Sequence, residues 1–149
     1  MSITYFTNFK TNTELEDFVR FLRRQCGINF RKRNGAYEAN VCGVFAYLHK
    51  EGTNIQLSHS SYAGLHFYHS QWVIVHDFLS FSVTEMICAK FKCSAEINSF
   101  EDLEEFYEVT YNPPPKKTKS QQQKPFSRDD LVCKFEKKTR TVTWDSQAS

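Results

Sequence analysis

Apolar positions along this chain repeat first at strand spacing, then at helix spacing, then again as strands. TYFTNF (4–9) alternates as a short strand. Leu15, Phe18, Val19, Leu22 and Cys26 then recur at helical spacing, with Gly27 placed to end the helix. Thr13-Glu14-Leu15-Glu16 has the form of a capping box, which predicts a side-chain cap at the helix start. Three strands follow in INFRKR (28–33), AYEANVCGVFAYL (36–48) and NIQLSH (54–59), with Asn34-Gly35 as a hairpin turn between the first two. GLHFYH (64–69) and QWVIVHDFLSF (71–81) read as two more strands turning near Ser70-Gln71. In the second, Trp72, Ile74 and His76 would face one way and Val73, Val75 and Asp77 the other, with Trp72 anchoring the core. SVTEMICAKFKC (82–93) fits either period. FEDLEEFY (100–107) predicts a second short helix starting at Ser99. The order predicts an α+β fold: an antiparallel β-sheet carrying an N-terminal amphipathic helix and a second short helix.

Composition limits the class. The chain has 149 residues, 40% of them hydrophobic, with 14 Phe, 7 Tyr and 2 Trp, enough for one folded domain with a real core. Net charge is only +2, but residues 1–112 hold 10 basic against 13 acidic side chains, and residues 113–149 hold 9 against 4. The change falls in NPPPKKTKSQQQKP (112–125), whose prolines, lysines and glutamines build no core. Residues 1–112 therefore read as the domain, 113–129 as a linker, and 130–149 as a tail. In that tail DLVCKFEKKTRTVTWD (130–145) alternates as a strand able to pair with the domain's sheet or a partner.

No stretch reads as a membrane span or a secretory leader, so a nuclear or cytoplasmic setting is expected. The five cysteines (26, 42, 88, 93, 133) are expected to be reduced thiols.

Four of the five histidines lie in LSHSSYAGLHFYHSQWVIVHDF (57–78). The short pairs His66/His69 and Cys88/Cys93 lack zinc-finger spacing, so no metal and no cofactor is expected. Cys42 or Cys93 beside a histidine would make a thiol dyad, but no spacing singles one out. His59-Ser60-Ser61 and His69-Ser70-Gln71 resemble the paired motifs of two-histidine phosphoesterases, yet they sit too close together and the second lacks the hydroxyl. The imidazoles read as partly exposed groups on a sheet, and no enzyme is expected.

The basic residues point to a partner. Arg20, Arg23 and Arg24 share the helix face opposite Leu15, Phe18 and Leu22, and Arg31, Lys32 and Arg33 follow without an intervening acid. Such a run can track a phosphate backbone, and Lys116, Lys117, Lys119 and Lys124 extend it. The expected function is nucleic-acid binding, with DNA as the expected form. The alternative is a small protein–protein interaction module, an inhibitor or adaptor, docking through aromatics or the tail strand. Neither a membrane nor a small-molecule substrate is expected as partner.

Over residues 9–81 the chain resembles the N-terminal DNA-binding domain of Mutator-type transposases and the far-red transcription factors derived from them. FKTNTELEDFVRFLRRQCGINFRKR (9–33), YEANVCGVF (37–45) and YAGLHFYHSQWVIVHDF (62–78) carry the likeness. It implies a zinc-stabilised sheet of the WRKY and GCM kind. The second cysteine of that family would fall near Tyr62 and its closing His-x-His near Leu79 to Phe81, where this chain has neither. The resemblance then implies a lost metal site, or one rebuilt from His66, His69 or His76.

Overall fold

A computed structural model describes residues 2–62, 69–99, 104–113 and 132–140. It is a mixed helix and strand structure on an eight-stranded antiparallel sheet. Strand β1 (Ser2–Lys10) is followed by helix α1 (Leu15–Cys26). A meander then runs through β2 (Arg31–Arg33), β3 (Ala36–Val41), β4 (Val44–Glu51) and β5 (Asn54–Tyr62). A helical stretch comes next: α2 (His69–Asp77), a π-helix (Phe78–Ser82) and α3 (Val83–Phe91). Strands β6 (Ser94–Ser99), β7 (Glu105–Tyr111) and β8 (Cys133–Thr139) complete the sheet, whose order is β2-β3-β4-β5-β1-β6-β7-β8. The first strand is thus central, with one meander on either side.

Register decides the two faces. Tyr5, Thr7 and Phe9 of β1 lie opposite His59, Leu57 and Ile55 of β5, and the last two pairs opposite Ile97 and Ala95 of β6. Cross-strand partners share a face. This face carries the helices: Phe18 of α1 meets Phe9 edge-on at 5.4 Å and stacks on Phe91 of α3 at 4.8 Å. Phe9, Phe18, Leu22, Leu48, Leu57, Leu79, Val83 and Ile87 are completely buried there. Alternate residues point away, as β4 shows: Val44, Ala46 and Leu48 are buried while Phe45 and Tyr47 are exposed. Among the described residues no helix covers that second face.

Several expectations hold locally. Gly27 ends α1 in the left-handed region (φ 69), with its N–H donating to Arg23 O. Asn34 (φ 51) and Gly35 (φ 81) form the predicted tight turn. The tail strand forms as β8 and pairs with β7 of the same sheet.

Others are corrected. The single strand expected over 36–48 is a hairpin, turning at Cys42 (φ 52) and Gly43 (φ 89), so Gly43 is a turn residue rather than a strand residue. The capping box does not close: Glu14 occupies the N-cap with no side-chain cap, and the Thr13 N–H donates instead to Thr11 Oγ1 at 3.1 Å.

Residues 69–91 are helical, not the strand expected over 71–81, and SVTEMICAKF resolves to the π-helix end and α3. Short apolar runs do not separate buried strand from buried helix, whereas length does: no Gly or Pro interrupts 65–112. Trp72 is accordingly half-buried over the β3–β4 turn, its Nε1 3.5 Å from where a Cβ on Gly43 would stand, and is no core anchor. Ile74, expected on its side of the strand, is 69% exposed. The second helix expected over 100–107 is overturned where it can be seen, since Glu105, Phe106 and Tyr107 begin β7. Residues 64–68 and 100–103 lie outside the described residues.

The expectation that no segment is apolar enough to cross a membrane is also revised. Trp72–Phe91, 20 residues of which an 18-residue stretch has a mean hydropathy of 1.3, is long and apolar enough by length and composition alone. Leu79, Val83, Ile87 and Cys88 from this segment fill the core. A buried core helix meets the same criterion.

Candidate nucleic-acid interface

The six described basic residues singled out by sequence all reach solvent. Arg20 pairs with Asp17 one turn earlier on α1. Arg23 and Arg24 occupy the last turn, where the helix dipole favours cations. Residues 27–30 lead from there to β2, where Arg31, Lys32 and Arg33 are exposed along one edge of the sheet. Cations on an edge strand also have a structural use, because they oppose pairing with another chain. Lys116, Lys117, Lys119 and Lys124 lie outside the described residues.

Strand parity splits β2. Lys32 lies opposite Tyr37, on the helix-bearing side, while Arg31 lies opposite Glu38, on the open side. Arg33, two residues on, shares the open face with Arg31. It meets Glu38 at 3.4 Å in a pair whose side chains are 71% and 45% exposed. Such a pair contributes only about 0–1 kcal/mol, so an arriving anion can replace the carboxylate. Arg23, Arg24, Arg31 and Lys32 form no ion pair with another described residue.

Sequence reading missed the surface next to this edge. An open groove of about 380 Å³ is lined by Arg33, Glu38, Phe45, Tyr47, Ser58 and Ser60, among others. Phe45 is 54% and Tyr47 39% exposed. Ser60 lies opposite Phe45 and Ser58 opposite Tyr47, so small hydroxyl side chains floor the space between the rings. The V-F-A-Y-L alternation carried this information, but merging β3 with β4 hid which positions face outward. Further along the same face Arg140 lies 4.6 Å above the Phe106 ring and donates to Asn98 Oδ1 at 2.8 Å.

The histidines are corrected in position. His66 lies outside the described residues, and His69 opens α2. His59 and His76 are not exposed imidazoles on a sheet. They are 1% and 4% exposed, their Nδ1 atoms 2.7 Å apart, between β5 and α2. Ser61 Oγ lies 2.9 Å from His76 Nε2 and Ser80 Oγ 3.2 Å from His59 Nε2. The Tyr5 ring stacks on His59 at 5.6 Å and lies tilted against His76 at 4.8 Å. Burial, and then the neighbouring His76, pushes His59 down to about 3. Burial also lowers His76, against an opposing pull from Asp77. A base so weak and so enclosed is poorly matched to activating Ser80 as a nucleophile at neutral pH.

Among the described residues no thiol is paired with a histidine. The neighbouring thiols Cys88 and Cys93 act on each other, which raises Cys88 and lowers Cys93, while Cys133 donates to Glu85 O at 3.6 Å. Cys42 is exposed at the β3–β4 turn. Among the described residues no three His, Cys, Asp or Glu side chains converge to hold a metal ion. No protein-family model, no curated protein and no solved structure matches this chain.

Proposed function

We propose that this chain binds single-stranded nucleic acid across the sheet face opposite its helices, entering from the β2 edge. The observation that carries the reading is the groove in which Arg33 stands beside two exposed aromatic rings and two serine hydroxyls. Proteins that bind single strands combine cations along the backbone with aromatic faces on which bases stack. Arg31 and Arg33 take the phosphates here, Phe45 and Tyr47 stack bases, and Ser58 and Ser60 offer hydroxyls to base edges. Arg23, Arg24 and Lys32 extend the positive edge beyond the groove. A duplex is a poorer fit, because its bases are already stacked and cannot reach the rings.

Fluorescence anisotropy with labelled dT and rU 12-mers and a matched duplex, at low and high salt, tests this. Single strands should bind more tightly than duplex. Each aromatic should be worth about 1–3 kcal/mol, so Phe45→Ala with Tyr47→Ala should weaken binding at least tenfold. Arg31→Ala with Arg33→Ala should weaken binding and flatten its salt dependence. No binding at low salt, or an unchanged double aromatic variant, sinks the reading.

One observation favours a protein partner instead. Val73 (43% exposed), Ile74 (69%) and Phe78 (36%) form an apolar ridge at the α2 end of the helical segment. A partner seated there would bind with little salt dependence, and Ile74→Asp would abolish that binding while leaving nucleic-acid affinity unchanged.

A further inference from the structure

The most deeply buried described side chain of α2 is polar. Among its described side chains, 72–77, His76 alone is buried. Trp72 and Val75 are half-buried, and Val73, Ile74 and Asp77 are exposed. By contrast α3 seats Val83, Thr84, Ile87 and Cys88 in the interior. Trp72 and Val75 pack at the core's margin, and the hydrogen-bonded link from α2 to β5 is the buried chain Ser61–His76–His59–Ser80.

Counting protons shows when that chain closes. In the neutral pair each ring carries one N–H. The His59 Nδ1–H can donate to His76 Nδ1, the His76 Nε2–H to Ser61 Oγ, and the Ser80 hydroxyl to His59 Nε2. The reverse direction satisfies the same contacts. A first added proton leaves the central N–H···N bond intact, with both Nε2–H groups donating to serine oxygens, but it places a charge in the interior. A second puts two N–H groups head to head across 2.7 Å, where no hydrogen bond is possible.

The groups around the pair do little to hold such a charge. From β1 comes the Tyr5 ring, from β5 Ser61, and from the π-helix Ser80, all uncharged. From α2 itself comes Asp77, whose carboxylate favours the cation on His76 but is outweighed by burial. Among the described residues no second acid is seen acting on either ring.

We propose that the His59–His76 pair is an acid-operated latch: protons entering the pair detach α2 from β5 while α3 stays seated in the core. On release Trp72 and Val75, half-buried in the closed state, become exposed alongside Val73 and Ile74. Both imidazoles are held below the ordinary histidine value of about 6.5. The closed state is therefore fully favoured above that pH and weakens as pH falls towards about 3. Each proton taken up on opening changes the equilibrium tenfold per pH unit, so two protons give up to about a hundredfold.

Hydrogen–deuterium exchange of the full chain from pH 7.5 to 4.5, corrected for intrinsic exchange, tests the latch. Protection in 69–77 should fall by at least tenfold per unit below pH 6.5, while protection in 83–91 and in β1 persists. His76→Gln keeps a hydrogen-bonding side chain that takes no proton, so protection of 69–77 should keep only the one-proton dependence of His59, at most about tenfold per pH unit. If that variant fails to fold, imidazole NMR of the wild type supplies the second measurement, and both rings should stay neutral to well below pH 6.5. Unaltered protection of 69–77 at pH 4.5, simultaneous loss of protection in every element, or ordinary titration of both rings near pH 6.5 would each overturn the latch.

Discussion

Two kinds of residue look alike in the sequence and differ in cost. Arg20, Arg23 and Arg24 are exposed and cap no buried partner, and Arg20 pairs with the partly exposed Asp17. Replacing all three with Ala should change unfolding free energy by under about 1 kcal/mol in urea titration, since Ala is a good helix former. A larger loss would mean that these arginines build the fold. Gly43 is the opposite case. It stands at φ 89, where an L side chain is strained whatever the space around it. Gly43→Ala should cost about 1–2 kcal/mol from the backbone alone. The buried pair adds a pH dependence: His59 is lowered to about 3, so folding stability should fall by about 1.4 kcal/mol per pH unit below 6.5. Thermal melts from pH 7 to 4 should show that decline, and a flat profile would refute it.

At the scale of elements, the helical stretch 69–91 is set by length and by its end. Lys92 stops α3 in the left-handed region at φ 52, a conformation that costs a residue with a Cβ about 1 kcal/mol. Lys92→Gly should therefore raise the melting temperature, with up to about 1 kcal/mol gained, and a lowered one would show that the lysine side chain matters there. Position 27 meets the same requirement with Gly, and sequence reading found that end but not this one. The edge strands share another rule. β2 is three exposed cations, and β8 sets Lys134, Lys137 and Lys138 against Glu136, Glu105 and Glu108. The charge that suggests nucleic acid also keeps both edges from pairing with other chains.

For the whole molecule, the helices and one sheet face close a core of large apolar side chains, with Cys133 of β8 buried against it. No described group of side chains converges on a metal. Because the core is closed by large apolar side chains, chelator should leave the melting temperature unchanged, whereas a stoichiometric zinc signal with unfolding on chelation would contradict this. Truncation before β8 should cost more than a tail's removal, because it strips Cys133 and Phe135 from the core and uncovers the β7 edge. Chemical denaturation of the shortened chain measures that loss.

Local chemistry was readable from the sequence. The α1 stripe from Leu15 to Leu22, the Gly27 stop, the Asn34-Gly35 turn and the alternation of β8 all follow from neighbours within a few residues, and all are present. Whether apolar 71–81 becomes strand or helix is decided by the room on the sheet. Hydrogen bonds between strands are filled from β2 to β8, and the interior still needs a cover over β5 and β1. The sequence places His59 and His76 seventeen positions apart in one histidine-rich run, without indicating that they meet. Their contact, like the meeting of Arg33 with Phe45 and Tyr47, depends on register and on the docking of one element against another. Periodicity along a chain fixes which side a residue faces, and only packing fixes what it faces.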